Sequence, residues 1–125
     1  MQKNNRPLSP HLTIYKPQIT SLMSITHRIT GVFQSIGLLI ICIFLISLIF
    51  GSQIHNTLQI FVNHIVGKTF FIFYTFSLCY HLFNGIRHLA WDLGLGFNLN
   101  NVNYTGYATI ILAFMLNFFI WLVVY

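Results

Sequence analysis

The chain has 125 residues, 56% hydrophobic and only 6% charged, with a formal net charge of +5. Soluble domains carry about a quarter charged residues, so the composition excludes an ordinary water-soluble fold and places the protein in lipid. Four of the six cations (Lys3, Arg6, Lys16 and Arg28) fall in the first 28 residues, which reads as a membrane-topology signal and not as a nucleic-acid surface.

"RPLSPHLTIYKP" (6–17) contains Pro7, Pro10 and Pro17. Each proline lacks a backbone donor and restricts the residue before it, so residues 1–19 are expected as an extended N-terminal arm. Helix can begin after Pro17, with Thr20 or Ser21 as N-cap, and run over about 20–50. No Asp, Glu, Lys or Arg occurs between Arg28 and Lys68. "GSQIHNTLQIFVNHIVGK" (51–68) places Ile54, Leu58, Phe61 and Ile65 at helical spacing, predicting an amphipathic surface link over 52–66. A second span over about 69–90 and a third over about 104–125 flank the polar turn "DLGLGFNLNNVN" (92–103). Crossing a bilayer takes about 20 mostly apolar residues as helix. The alternative, a transmembrane barrel, needs short alternating strands, whereas "IGLLIICIFLISLIF" (36–50) is apolar on all sides.

The expected fold is therefore an all-α integral membrane protein with three transmembrane helices and a domain over 20–125. Cation counting puts the N-terminal four and Arg87 on one side and Lys68 alone on the other, so the N-terminus is expected inside. Neither a cleavable signal nor an Arg-rich transit segment is visible, which fits a bacterial, organelle-made or mature chain. Cys42 and Cys79 lie within apolar spans and read as small hydrophobes.

Ionisable residues inside spans are costly and mark function by default. In "YHLFNGIRHLAWD" (80–92), His81, Gly85, His88 and Asp92 fall on one helix face. His81 lies seven residues, roughly 10 Å at 1.5 Å rise per residue, deeper than His88. Such an imidazole suits an axial haem ligand, with Gly85 removing a side chain that would meet the macrocycle; equally, His81 can bond a neighbouring helix and Gly85 permit close packing. In "SITHRITG" (24–31), Ser24, Arg28, Gly31 and Ser35 make a second small and polar face, flanked by His27. Ser24, His27 and Arg28 are expected to meet Arg87, His88 and Asp92 at one membrane surface, where cations can pair with carboxylates. Simpler roles are snorkelling for Arg28, a local ion pair for Arg87 with Asp92, and interface anchoring for Trp91, Trp121 and Tyr125. His11, His55 and His64 receive no role. This chain offers one deep imidazole, so a second axial ligand is expected from a partner in preference to His27, the alternative within the chain, which is placed about 10 Å shallower than His81 by the same arithmetic.

"RPLSPHLTIY", "SITHRITG" and "HLFNGIRHLAWD" together resemble the larger cytochrome b membrane-anchor subunit of succinate dehydrogenase, respiratory complex II, over essentially the whole chain. The resemblance implies haem b with His81 as one axial ligand, and a small membrane-anchor subunit supplying the other. It implies a flavoprotein subunit and an iron–sulfur subunit that pass electrons from succinate to ubiquinone. It assigns Ser24 and Arg28 to the quinone site with Asp92 near it, and puts His27 and Arg28 by the haem propionates. From their place beside these groups, Gly85 and His88 are expected as cofactor contacts, with His88 and Asp92 assisting proton delivery. The membrane would be the mitochondrial inner membrane or the bacterial cytoplasmic membrane. Two rival readings remain: a haem-free structural anchor, and a small transporter component.

Overall fold

A computed structural model describes residues 18–124. The Pro-containing arm up to residue 17 and the Tyr125 anchor lie outside the described residues. Within them the fold is all helical: α1 Ile19–Phe50, α2 Ser52–Asn63, α3 Ile65–Asp92 and α4 Leu99–Val124. Three helices are long and apolar enough to cross a membrane, over Ile19–Ile49, Ile65–Asp92 and Leu99–Val124. At 1.5 Å per residue each exceeds the roughly 30 Å hydrocarbon layer.

The N-cap of α1 is Gln18, in extended conformation and without a side-chain capping bond, so Thr20 and Ser21 lie inside the helix and not at its cap. The first helical N–H groups are thus left to water or headgroups. Two single residues make the next joints. Gly51 is extended, and its N–H closes α1 on Ser47 O at 3.3 Å. His64 is extended too, and its Nδ1 accepts from Val66 N at 3.3 Å, capping α3. A Cβ on Gly67 would overlap the Phe61 carbonyl, so α3 leaves the end of α2 only with glycine there. At the far end of α3, Gly94 N bonds Trp91 O at 2.8 Å and Leu95 N bonds Ala90 O at 2.9 Å. With Gly94 at φ +78°, this is the paired-bond stop that a left-handed glycine provides after a helix.

α3 lies between α1 and α4 and packs against both. The apolar core is small, formed by Met23, Cys79, Tyr80 and Ala113 with Phe76, Phe83 and Ile110 against it. Many large apolar side chains of the three long helices instead remain exposed, among them Leu39, Ile49, Phe73, Phe119 and Val123. In lipid such faces carry no penalty, and helices associate through small residues and interhelical hydrogen bonds. Both devices occur here. A Cβ on Gly37 would fall within the ring of Tyr74, whose hydroxyl donates to Gln34 O at 3.3 Å. Gln34 Nε2 donates to Ser77 O at 3.2 Å. Between α3 and α4, Thr75 Oγ1 donates to Asn117 Oδ1 and accepts from Trp121 Nε1, each at 2.7 Å. Trp121 is therefore tied to α3 through its indole N–H, not left as a headgroup anchor.

Candidate functional site

Where α1 begins and α3 ends, the two helices interleave three imidazoles. The His27 ring stacks on His81 at 3.9 Å between centroids and 24° between planes. It stacks on His88 at 5.2 Å and 26°. His81 and His88 stand two turns apart on α3, so the single imidazole from α1 fills the gap between them. Trp91 continues the row, meeting His88 edge-on at 5.0 Å.

This corrects the depth expected for His27. Counting along each helix put it about 10 Å shallower than His81, yet the rings are in van der Waals contact. The level of a side chain is set by its partner across the antiparallel pair, and His27 falls opposite the 81–88 interval.

Three features fix His81. Its Nδ1 lies 3.1 Å from Thr30 Oγ1, its face stacks on His27, and Cε1 lies 3.2 Å from where a Cβ on Gly31 would stand. Gly85, one turn further along α3, has open space where its Cβ would be, so close packing within this chain does not account for that glycine. Two polar atoms here are buried without a hydrogen-bond partner: Nε2 of His27, and Oγ of Ser77 one turn from His81.

The remaining expected site residues are spread around this column. Ser24 is half-buried one turn before His27, whereas Arg28 is exposed and lines a shallow 430 Å³ cleft with Ile29, Val32, Phe33 and Ile36. Asp92 ends α3, exposed, one turn beyond His88.

Arg87 does not join them. It is buried, 6% exposed, and turned towards α4, donating to Thr105 Oγ1 at 3.1 Å, Val102 O at 2.9 Å and Asn84 Oδ1 at 3.3 Å. Its guanidinium lies 4.1 Å from the centre of the Trp91 ring. The local ion pair expected with Asp92 is replaced by neutral acceptors and an aromatic face, and Trp91 is a cation partner and not simply an interface anchor. Arg87 and His88 are adjacent in sequence, and the 100° between them directs one to α4 and the other to α1.

Thr30 and Tyr80, which no motif in the sequence singles out, also belong to this region, as does Asn84. Asn84 is fully buried, and Nδ2 donates to Met23 O at 3.4 Å. Tyr80 Oη reaches Thr26 Oγ1 at 2.6 Å and donates to Met23 O at 3.3 Å. Tyr80, Asn84, Arg87 and Trp91 recur in steps of four, three and four, a signal for a second polar stripe beside the histidine stripe.

The residues fit an edge-on haem. A neutral imidazole uses one nitrogen for a supporting hydrogen bond and the other for metal; Thr30 engages Nδ1 of His81 and leaves Nε2. An orphaned His27 Nε2 and the open flank at Gly85 suit a polar-edged planar group. Bonds from imidazole nitrogen to metal run about 2.0 Å, and His27 and His81 lie face to face with no room between them for a metal ion. Among the described residues no cluster of three or more His, Cys, Asp or Glu forms a chelating site.

Comparison with known proteins shows the family. Residues 2–121 match the family model described as succinate dehydrogenase/fumarate reductase transmembrane subunit. The chain is 44% identical over 118 residues to the succinate dehydrogenase cytochrome b556 subunit of Rickettsia prowazekii (strain Madrid E), covering 94% of this chain and 92% of that one. It is 41% identical over 124 residues to the cytochrome b560 subunit of Reclinomonas americana, with 95% and 86% covered. It is 38% identical over 116 residues to the mitochondrial cytochrome b560 subunit of Sus scrofa, with 88% and 66% covered. With three membrane-length helices and a match spanning nearly all its residues, the chain belongs to the family of succinate dehydrogenase/fumarate reductase transmembrane subunits.

Proposed function

We propose that this chain is the cytochrome b membrane-anchor subunit of a succinate:quinone oxidoreductase, holding haem b through His81 and contributing to the ubiquinone reduction site. The observation that carries this reading is the imidazole column: His81 held at Nδ1 by Thr30 and clasped by His27, beside the open flank at Gly85. Bound haem supplies a one-electron carrier whose potential depends on its axial ligands and surroundings. His27, Arg28, Gly85 and His88 would hold it, with Arg28 and His27 available to pair with its carboxylates. A further imidazole for its iron would come from a small anchor subunit, since His27 is stacked on His81.

Quinone reduction consumes two electrons and two protons, so its site must grip carbonyl oxygens and remain within reach of water. Ser24 donates to one carbonyl, and Arg28 stabilises the negative charge that builds on that oxygen. Asp92 and His88 stand one turn apart and hand on protons from the aqueous edge. The apolar residues lining the cleft beside Arg28 receive the substrate's hydrocarbon part. The N-terminus faces the same side as the iron–sulfur and flavoprotein subunits, which deliver the electrons. The mitochondrial inner membrane, or the bacterial cytoplasmic membrane, is the setting that the relatives' sources support.

Purified complex carrying His81→Ala tests the assignment. The expected result is loss of the haem b absorption bands, or a displaced midpoint potential, with succinate oxidation by an artificial dye retained. Bands and potential identical to those of the parent complex exclude His81 as ligand, and a parent complex with no haem by pyridine haemochrome assay leaves only a structural anchor.

A further inference from the structure

We infer that Thr30 is a positioning residue for the haem ligand: its hydroxyl selects the His81 tautomer that offers Nε2, and strengthens that nitrogen as an electron donor to metal. This inference deepens the assignment of His81 as axial ligand and rests on it.

The direction of each proton follows from the hydroxyl's single hydrogen. Thr30 Oγ1 lies 2.8 Å from His27 O, three residues back along α1, and donates to it. A backbone carbonyl can only accept, so this bond uses the threonine's one O–H. What Thr30 presents to His81 Nδ1 at 3.1 Å is therefore a lone pair. Nδ1 must then be the protonated nitrogen of a neutral imidazole, which leaves Nε2 with the lone pair that binds metal. Among the described residues, no hydrogen bond is made by Nε2 of His81.

The rest of the seat keeps the ring in this setting. A flip about Cβ–Cγ would exchange Nδ1 with a carbon and lose the bond to Thr30. The tight approach of Cε1 to the Gly31 position, 3.2 Å from a would-be Cβ, leaves little room for rotation. Stacking on His27 at 3.9 Å covers one face. Thr30, Gly31 and His27 lie within five consecutive residues of α1, so one helical turn supplies the hydrogen bond, the edge contact and the face contact.

An acceptor on the distal N–H raises the electron-donating power of a ligating imidazole. Stronger donation favours the ferric state and lowers the midpoint potential. Removing the acceptor therefore raises the potential without removing the ligand. A purely structural threonine would not have this signature, because Val fills nearly the same space.

The experiment compares parent complex, Thr30→Ser and Thr30→Val, each assembled with its partner subunits. Haem content is measured by pyridine haemochrome, and the midpoint potential by optical redox titration. Thr30→Ser should match the parent, while Thr30→Val should keep its haem and titrate at a higher potential. A Thr30→Val complex with full haem and an unmoved potential overturns the inference while leaving His81 as ligand. A parent complex without haem overturns the ligand assignment as well. If Thr30→Val fails to assemble, Thr30→Ala carries the same comparison, since it removes the hydroxyl without adding bulk; an unmoved potential there is equally fatal.

Discussion

The imidazole of His27 sits between those of His81 and His88, 3.9 Å from the first and 5.2 Å from the second, although 54 and 61 residues separate it from them in sequence. The contact joins two of the three motifs by which the chain resembles its family. It also supplies two separable things, an aromatic face for His81 and a buried nitrogen, Nε2, that finds no partner within the described residues.

Two substitutions at this position separate those contributions. His27→Phe keeps a ring in the stack but deletes the nitrogen, whereas His27→Ala deletes both. Stacked aromatic pairs contribute about 0.5–1.5 kcal/mol beyond burial, so the alanine variant should lose roughly a factor of 2 to 12 more haem affinity than the phenylalanine variant. Haem retention during detergent washing, read at the b-type absorption band, makes the comparison. Equal retention by the two variants would show that the stack does not steady the ligand.

Ser24 stands one turn before His27, and its hydroxyl is assigned to a quinone carbonyl. Hydrogen bonds to groups carrying charge contribute about 1.5–3 kcal/mol, or about 10- to 150-fold in rate if formed mainly in the transition state. Ser24→Ala should therefore lower succinate–quinone turnover at least about tenfold, while dye reduction stays within about twofold of the parent. Parallel assays on the same preparation check this, and undiminished turnover with quinone removes Ser24 from the site.

Much of this arrangement is legible in the sequence, for identifiable reasons. The spans appear as charge-free runs because lipid tolerates few ions, and α2 shows as an amphipathic stretch because only one of its faces is apolar. Partner choice is harder to read. Nothing local reveals that His27 lies opposite the 81–88 interval, since that level depends on how α1 and α3 slide past each other. The joint at His64 was hidden as well, because its capping bond to Val66 N exists only once α3 has begun. Asn117 reads as a lone polar residue among hydrocarbon until folding brings it to Thr75 and Trp121.

The two glycines with contrasting surroundings give a third test. A Cβ on Gly37 would intrude on the Tyr74 ring, while one on Gly85 meets nothing in this chain. Overpacking an interface costs about 1–3 kcal/mol, so Gly37→Ala should lower the thermal midpoint of the complex, and Tyr74→Leu should restore part of the loss. Gly85→Ala should leave the midpoint of haem-free protein unchanged but reduce haem content. A Gly85→Ala complex with full haem and an unaltered spectrum would mean that the open flank faces lipid or another subunit.

The last test concerns Arg87 and Asp92, opposite charges five residues apart on α3. An ion pair between them would make the two positions equivalent in stability, each substitution exposing the other's charge. Arg87 instead reaches the Asn84 and Val102 carbonyl oxygens and the Thr105 hydroxyl, and Asp92 is exposed at the helix end. In a dry interior, losing one charge-assisted hydrogen bond costs about 1.5–3 kcal/mol. Arg87→Met removes the donor to Asn84 Oδ1 and the guanidinium's bonds to Val102 O and Thr105 Oγ1 on α4, so it should destabilise the α3 to α4 contact. Arg87→Lys should rescue little, because a single ammonium does not reproduce the planar fork that spans three acceptors and lies against Trp91. Asp92→Asn should leave thermal stability near that of the parent and act on quinone turnover alone. Thermal unfolding of the assembled complex distinguishes the cases. Equal destabilisation by Arg87→Met and Asp92→Asn, relieved in the double variant, would restore the ion pair and take Arg87 away from α4.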